Sequence, residues 1–253
     1  MAPVVLAICA HPDDIEWAMG GTLLLLRKRG CLLHYMTVAN GCNGTEVYTV
    51  EETIAIRRGE AMAAAQFLGA EFHESVANDF EIFYTDELIR KVAAVVREVA
   101  PDIVLTHALE DYMEDHINAG RLASSAAFAR SSRNYLTDPP RPPIRKETCV
   151  YHALPHGLAD RMRRPATAEL YVDIQSVLPD KLTAISFHQS QVAWLGATQG
   201  TESLSKSVEE DARRVGALSG RFQLAEGWNR HLHVGYSAVE IDPLADLLAD
   251  YVK

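Results

Sequence analysis

The first 130 residues alternate short apolar runs with longer segments of helical periodicity, and this alternation constrains the fold more than any other feature of the chain. Val4 to Ala10, Leu32 to Val38 and Ile103 to His107 have the length and composition of buried strands. The expected helices are Ile15 to Arg29, Glu51 to Leu68, Asp86 to Val99 and His116 to Arg130. Such alternation is typical of a mostly parallel sheet with helices on both faces, so the sequence predicts an α/β fold.

A proline-rich segment, Asp138 to Pro143, interrupts this pattern, because it can continue neither a helix nor a central strand. Beyond it the periodicity is weaker. Strands are expected at Thr148 to Ala153 and Leu170 to Ile174, and helices at Asp180 to Gln189, Ser203 to Leu218 and Pro243 to Tyr251. A chain of this size buries about three quarters of its surface. We therefore expect a single domain over residues 1–253, with a core at 4–130 and a less regular C-terminal part at 148–253.

Composition excludes several classes of function. The 253 residues carry 34 acidic and 24 basic side chains, and the formal charge of -10 opposes binding to nucleic acid or to anionic membranes. No apolar stretch reaches the roughly 18 residues of a membrane span, and we expect no secretory leader because the first apolar run, Val4 to Ala10, is short. The four cysteines form no C-x-x-C pair and are expected to be free buried thiols. These features predict a cytoplasmic protein.

A dense polar motif follows the first strand directly. His11-Pro12-Asp13-Asp14 places an imidazole and two carboxylates at the carboxyl end of a strand, where α/β sheets bind their ligands. Pro12 stiffens the turn and can hold these side chains in fixed directions. The alternative is structural: Asp13 with Glu16 would form a capping box that opens the helix.

A second motif follows the strand at Ile103 to His107. The segment from Glu110 to His116 is acidic and ends in histidine, and in a parallel sheet it opens on the same crevice as the first motif. His11, Asp14 and His116 would supply two nitrogens and one oxygen, which is the donor pattern of a catalytic zinc site. Asp13 is then better placed as the base beside the metal. The alternative is a solvated acidic loop with His116 as an ordinary helix-start residue.

At these residues the chain resembles the LmbE-like (PIG-L) family of zinc-dependent N-deacetylases. The matching segments are Ala10 to Asp14, Gly20-Gly21-Thr22, Arg57 with Glu60, Leu68-Gly69, Asp115-His116, Tyr171 to Ile174, Lys181 and His188 to Gln191. The resemblance covers roughly residues 4 to 191 and implies a Rossmann-like fold. It also implies homo-oligomer formation, which nothing else in the sequence indicates.

Carried over residue by residue, the resemblance implies a Zn²⁺ ion held by His11, Asp14 and His116, with Asp13 as the general base. It further implies that Arg57 lies near the bound acyl group or substrate. Asp115 would be a carboxylate of the catalytic site that holds a neighbouring side chain, and Glu60 would be structural.

One position departs from the family pattern. Many members have histidine where this chain has Met113, and a thioether can neither donate a proton nor stabilise an oxyanion. Either another donor replaces that histidine, with His152, His188 and Tyr112 as the candidates from the sequence, or the protein is slower or acts on a different substrate.

The resulting hypothesis is a hydrolase that removes an N-acyl group, with acetyl as the expected group, from an amino sugar or a related small polar amide. Its partner would be that small molecule, with no nucleic acid and no membrane. Two alternatives stay open: a metal-dependent phosphoesterase, and a non-catalytic member of the family that binds zinc or a ligand.

Overall fold

The computed structural model describes residues 2–200 and 203–253, and a mixed sheet of seven strands runs through its centre. The strands are β1 (Val4–Cys9), β2 (Leu32–Thr37), β3 (Ala70–His73), β4 (Ile103–Thr106), β5 (Cys149–Ala153), β6 (Leu170–Asp173) and β7 (Ala225–Arg230). The helices are α1 (Asp14–Lys28), α2 (Val50–Leu68), α3 (Asp86–Val99), α4 (Glu114–Ala129), α5 (Leu178–Ile185), α6 (Ser190–Gln199), α7 (Leu204–Ser219) and α8 (Pro243–Leu247).

The strand order is β3-β2-β1-β4-β5-β7-β6. Strands β3, β2, β1, β4 and β5 are mutually parallel, whereas β7 is antiparallel to both β5 and β6. The predicted α/β fold with a mostly parallel sheet is therefore confirmed. The C-terminal strands extend the same sheet; the domain boundaries proposed from the sequence stay a prediction.

Apolar layers cover both faces of the sheet. Alternate residues of β1 enter opposite layers: Val5 and Ala7 pack with helices α1 and α2, and Leu6 and Ile8 pack with helices α3 and α4. A strand buried on both faces reads as a continuous apolar run, which is why β1 was recognisable from its sequence. The site motifs that follow β1 and β4 are thus built on the most buried part of the sheet.

Three elements were not predicted. The strand β3 has four residues with a glutamate and a histidine among them, and α6 begins at Ser190, one residue after the end of the helix that was expected at Asp180 to Gln189. The strand β7 contains a glutamate, a glycine and an asparagine, so it lacks a strand signature. It is buried because Glu226 bonds to α1 and because Gly227 has no side chain to collide with Leu154, whose Cδ1 would lie 2.6 Å from an added Cβ.

Within the described residues, no helix combines the length and apolarity that a membrane crossing requires. All four cysteines are buried and free, as expected.

Candidate active site

The fold brings His11, Asp14 and His116 together at the carboxyl ends of two neighbouring strands. His11 follows β1, and His116 lies in the first turn of α4, which follows β4. Because β1 and β4 are adjacent and parallel, both segments open on one side of the sheet. One ligand atom of each of the three residues lies within 4.8 Å of the others. Their predicted proximity is thus observed.

Asp14 is the first residue of α1, and its carboxylate is the centre of this cluster. Its Oδ2 accepts a hydrogen bond from the His11 backbone N–H at 2.7 Å and lies 3.2 Å from Nε2 of His107. Burial alone would raise the pKa of Asp14, but His116 and His107 together hold that pKa well below its ordinary value. Asp14 is therefore an anion at neutral pH.

Each of the two cluster imidazoles is held by its own carboxylate. Nε2 of His11 lies 3.0 Å from Oδ2 of Asp115, and Nδ1 of His116 lies 3.1 Å from Oδ1 of Asp111. The remaining nitrogen of each ring faces Asp14: Nδ1 of His11 at 3.4 Å and Nε2 of His116 at 3.5 Å. Burial would lower the pKa of His11, but hydrogen bonds to Asp115 and Asp14 raise it to about 10.

This donor set fits a divalent metal ion. Metal-binding histidines commonly present one nitrogen to the ion while a carboxylate holds the other, which fixes the ring and its tautomer. Both rings have this arrangement, and the two nitrogens that face Asp14 complete a set of two nitrogens and one carboxylate. Two nitrogens and one oxygen suit zinc and similar ions.

Asp111 was not singled out from the sequence, although it matches Asp115 in function. Its side chain is buried, and besides His116 it accepts hydrogen bonds from the backbone N–H groups of Met113 and His156. It lies five positions before His116 in the acidic segment from Glu110 to His116, but spacing alone does not tell which carboxylate of that segment turns inward.

Asp13 does not form a capping box with Glu16, which was the structural alternative for this motif. It has a left-handed backbone conformation with φ of 102°, and its side chain makes no hydrogen bond to the helix start. Glu16 is fully buried, with Oε2 lying 3.1 Å from Nε2 of His188. Since Asp13 adopts φ in the left-handed region, its carboxylate lies near Arg57 instead of over the first N–H groups of α1.

Burial raises the pKa of Asp13, although the nearby Arg57 guanidinium opposes this rise. A raised pKa brings a carboxylate closer to the range in which it can take up and release protons near neutral pH. The side chain is 15% exposed and lines the cavity described below. Asp13 thus has the position and environment that a general base needs.

Arg57 was expected near the substrate, and the structure places it behind the turn that carries Asp13. It is 2% exposed, donates a short hydrogen bond to the carbonyl of Pro12 and lies 3.4 Å from Oδ2 of Asp13. It is not among the described residues that line the cavity. Its contacts therefore point to positioning Asp13 rather than to touching a substrate.

A cavity of about 530 Å³ opens in front of the cluster. His11, Asp13, Asp14 and His116 lie on its wall, and aromatic and aliphatic side chains form much of the rest: Trp17, Phe80, Tyr112, Leu154, Leu158, Trp194, Leu195 and Val215. Lys181 also lies on the wall, but its Nζ donates to Glu226 and to the carbonyl of Trp17. Lys181 is the one lysine or arginine among the described lining residues, and it is therefore already paired.

The structure separates the three candidate donors that could replace the histidine at Met113. Tyr112 lines the cavity, and its ring contacts His116 edge-on at a centroid distance of 5.5 Å. His152 bonds to the carbonyl of His107 and to His231, and His188 is fully buried beside Glu16. Neither His152 nor His188 is among the described residues of the cavity wall.

Two further histidines on the wall were missed. His107 stacks on His116 with ring centroids 4.3 Å apart, and His156 packs against Trp17 and Tyr112. His107 follows β4 as His11 follows β1, so its position at a strand end was a usable signal.

The chain matches the family model PIG-L, described as GlcNAc-PI de-N-acetylase, over residues 6–127. It is 31% identical over 188 residues to 4-oxalmesaconate hydratase of Pseudomonas putida, covering 71% of this chain and 70% of that protein. It is 29% identical over 195 residues to diacetylchitobiose deacetylase of Thermococcus kodakarensis, covering 74% and 69%. The structure of N,N'-diacetylchitobiose deacetylase from Pyrococcus horikoshii has a TM-score of 0.75 and 25% identity, covering 97% of this chain and 89% of that one.

Proposed function

The chain belongs to the PIG-L (LmbE-like) family, and on this basis we propose that it is a zinc-dependent N-deacetylase that acts on an amino sugar or a related small polar amide. The observation that carries the proposal is that His11, Asp14, His116 and Asp13 open together on one cavity. Deacetylases of amino sugars among the relatives support the substrate class. The expected cytoplasmic location stays a prediction.

His11, Asp14 and His116 would hold the zinc ion. When bound, zinc supplies Lewis-acid polarisation of the substrate carbonyl. Asp115 and Asp111 keep the two imidazoles oriented, and Asp14 stays ionised at neutral pH because of the neighbouring histidines.

Asp13 removes a proton from the attacking water, and the carboxylic acid that results can return this proton to the amine nitrogen as the C–N bond breaks. Arg57 fixes the turn through the Pro12 carbonyl and keeps the carboxylate in place. Acetate and a free amine leave the cavity, and no covalent intermediate is required. Tyr112 or His156, both on the cavity wall, would supply the second donor to the developing oxyanion in place of Met113.

A hydratase is the second candidate, because a hydratase is 31% identical to this chain. Both reactions begin when a base removes a proton from water. The named substrate of that relative is an acid, and a polyanion would normally be held by arginine or lysine side chains. The one lysine or arginine among the described wall residues is Lys181, which Glu226 neutralises, while Asp79 adds negative charge and Asp211 is paired with Arg214. Apart from the zinc ion itself, the described wall thus offers a polyanion no unpaired lysine or arginine, which favours a substrate without several negative charges.

The decisive experiment is a substrate panel with the zinc-loaded protein. N-acetylated mono- and disaccharides are followed by acetate release, an unsaturated polycarboxylate by its ultraviolet absorbance, and phosphate esters by phosphate release. Acetate release from a sugar, lost in Asp13→Asn and kept in the surface control Asp250→Asn, is the expected result. Turnover of the polycarboxylate alone would show that the protein is a hydratase, and phosphate release would show that it is a phosphoesterase. A protein that turns over no compound of the panel would be a binding protein.

A further inference from the structure

Two histidines that do not belong to the candidate active site meet on neighbouring strands of the sheet. His34 lies on β2 and His73 on β3, and Nδ1 of His34 is 3.0 Å from Nε2 of His73. In the parallel register His73 pairs with Met36, which packs in the apolar layer of α3 and α4. Residues 34 and 36 of one strand share a face, so both histidines lie on that side of the sheet.

Glu71 brings a carboxylate to the same two rings. It pairs with His34 in the register of β2 and β3, and its Oε2 lies 3.6 Å from Nδ1 of His34. The ligand atoms of the three residues all lie within 4.8 Å of one another. The side chain of Glu71 is 70% exposed and that of His34 is 15% exposed, so the cluster can be reached from solvent.

In the metal-free chain a hydrogen bond joins the two nitrogens. At 3.0 Å one ring must donate and the other accept, so a bound ion would replace that one proton. Two nitrogens bound tetrahedrally to zinc at about 2.0–2.1 Å are roughly 3.3 Å apart, so a small opening of the pair suffices. Glu71 would supply the third ligand, and water would complete the set.

We propose that His34, Glu71 and His73 form a second metal site, which takes a borderline divalent ion such as zinc. It shares no residue with the cluster of His11, Asp14 and His116, and none of its residues is among those described on the cavity wall.

An ion at this site ties a four-residue edge strand to its neighbour. Strand β3 is the outermost strand on its side of the sheet. An ion that binds the folded chain and not the unfolded chain stabilises the fold by mass action. The site is therefore structural, and its occupancy shows in thermal stability rather than in turnover.

The test is equilibrium dialysis of the metal-free full-length chain against micromolar zinc, with metal analysis and a melting curve for each variant. The wild type is expected to bind about two ions per chain. His73→Gln and His34→Gln are expected to bind one, and the control His233→Gln, a histidine outside both clusters, to bind two. His11→Ala is expected to lose the other ion and to keep this one.

Glu71→Gln tests the site even if a histidine variant fails to fold, because replacement of an exposed side chain changes stability little. The substitution should weaken binding of the second ion at least tenfold, because loss of a residue that only orients a metal ligand already weakens binding by about that much. It should also reduce the zinc-induced rise in Tm. A wild type that binds a single ion, lost in His11→Ala and kept in Glu71→Gln, overturns this site and leaves the proposed deacetylase intact. Two ions bound with unchanged affinity in Glu71→Gln would overturn it as well.

Discussion

Oδ2 of Asp115 lies 3.0 Å from Nε2 of His11, although the two residues are 104 positions apart in the chain. The same oxygen accepts a hydrogen bond of 2.7 Å from the backbone N–H of Phe80. The start of α4 and the loop before α3 therefore jointly set the direction of the His11 ring, and with it the nitrogen that faces Asp14.

Asp115→Ala should weaken zinc binding about 10–100-fold, because His11 loses the partner that fixes its ring and tautomer. Competition with a chelator of known affinity measures this change. The control is Glu114→Ala, which removes a 68% exposed carboxylate one position away in the same helix turn. Equal zinc affinity in wild type and Asp115→Ala would show that the ring is held by other contacts.

Asp13→Asn should retain zinc and lose deacetylation by about 10²–10⁴-fold, the usual contribution of a positioned base. Asparagine suits this position because it tolerates the left-handed backbone better than most residues, so the substitution changes the chemistry and not the turn. Metal content and acetate release are measured on the same sample. Wild-type turnover in this variant would assign the base elsewhere.

His152 should make the metal-free fold sensitive to mild acid. Burial lowers the pKa of His152 to about 4, whereas the unfolded chain has an ordinary histidine value near 6.5. Between these values the unfolded state binds the proton more readily, so the free energy of unfolding falls as the pH drops from about 6.5 to about 4. The stability that depends on the neutral His152 ring is fully present above this window. Over the whole window, protonation of this ring lowers the free energy of unfolding by roughly 3 kcal/mol.

The measurement for His152 is urea unfolding at pH 7 and pH 5 with chelator present. In His152→Gln the loss of stability between these two pH values should be smaller than in the wild type. An identical loss in both chains would mean that the ring at position 152 is not responsible.

Gly21→Ala should lower the free energy of unfolding by about 1–3 kcal/mol, the usual cost of overpacking. An added Cβ would lie 2.6 Å from Cγ2 of Ile174 and 2.9 Å from Oε1 of Glu226. Gly59→Ala is the matched control, since it also lies within a helix and has no atom within 4 Å of the added Cβ. It should be stabilising by up to about 1 kcal/mol. Similar urea midpoints for the two variants would contradict the close packing at Gly21.

The sequence predicted what depends on local pattern. The buried strand β1 and the motif from His11 to Asp14 are contiguous, so their relation could be seen without any tertiary information. His116 could be added because neighbouring parallel strands end on the same side of a sheet. The expected α/β fold followed from the same rule.

The parts that could not be predicted depend on partners distant in the chain. Glu226 in β7 is buried because it accepts hydrogen bonds from the backbone N–H groups of Gly21 and Thr22, which no local pattern reveals. Local pattern likewise does not show that Asp115 pairs with His11 and Asp111 with His116, because these pairings depend on the tertiary fold. The position of Arg57 behind the turn also depends on how α2 packs against α1.

The insertion of β7 between β5 and β6 has a consequence for how the protein matures as it leaves the ribosome. Strand β6 lies at the edge of the sheet and pairs with β7, so residues 170–173 can join the sheet only after residues 225–230 have been synthesised. The same late segment delivers Glu226 to α1, the helix that begins at Asp14. All of the proposed metal ligands lie in the first half of the chain, yet the helix that begins at one of them, Asp14, gains its contact with Glu226 only near the end of synthesis.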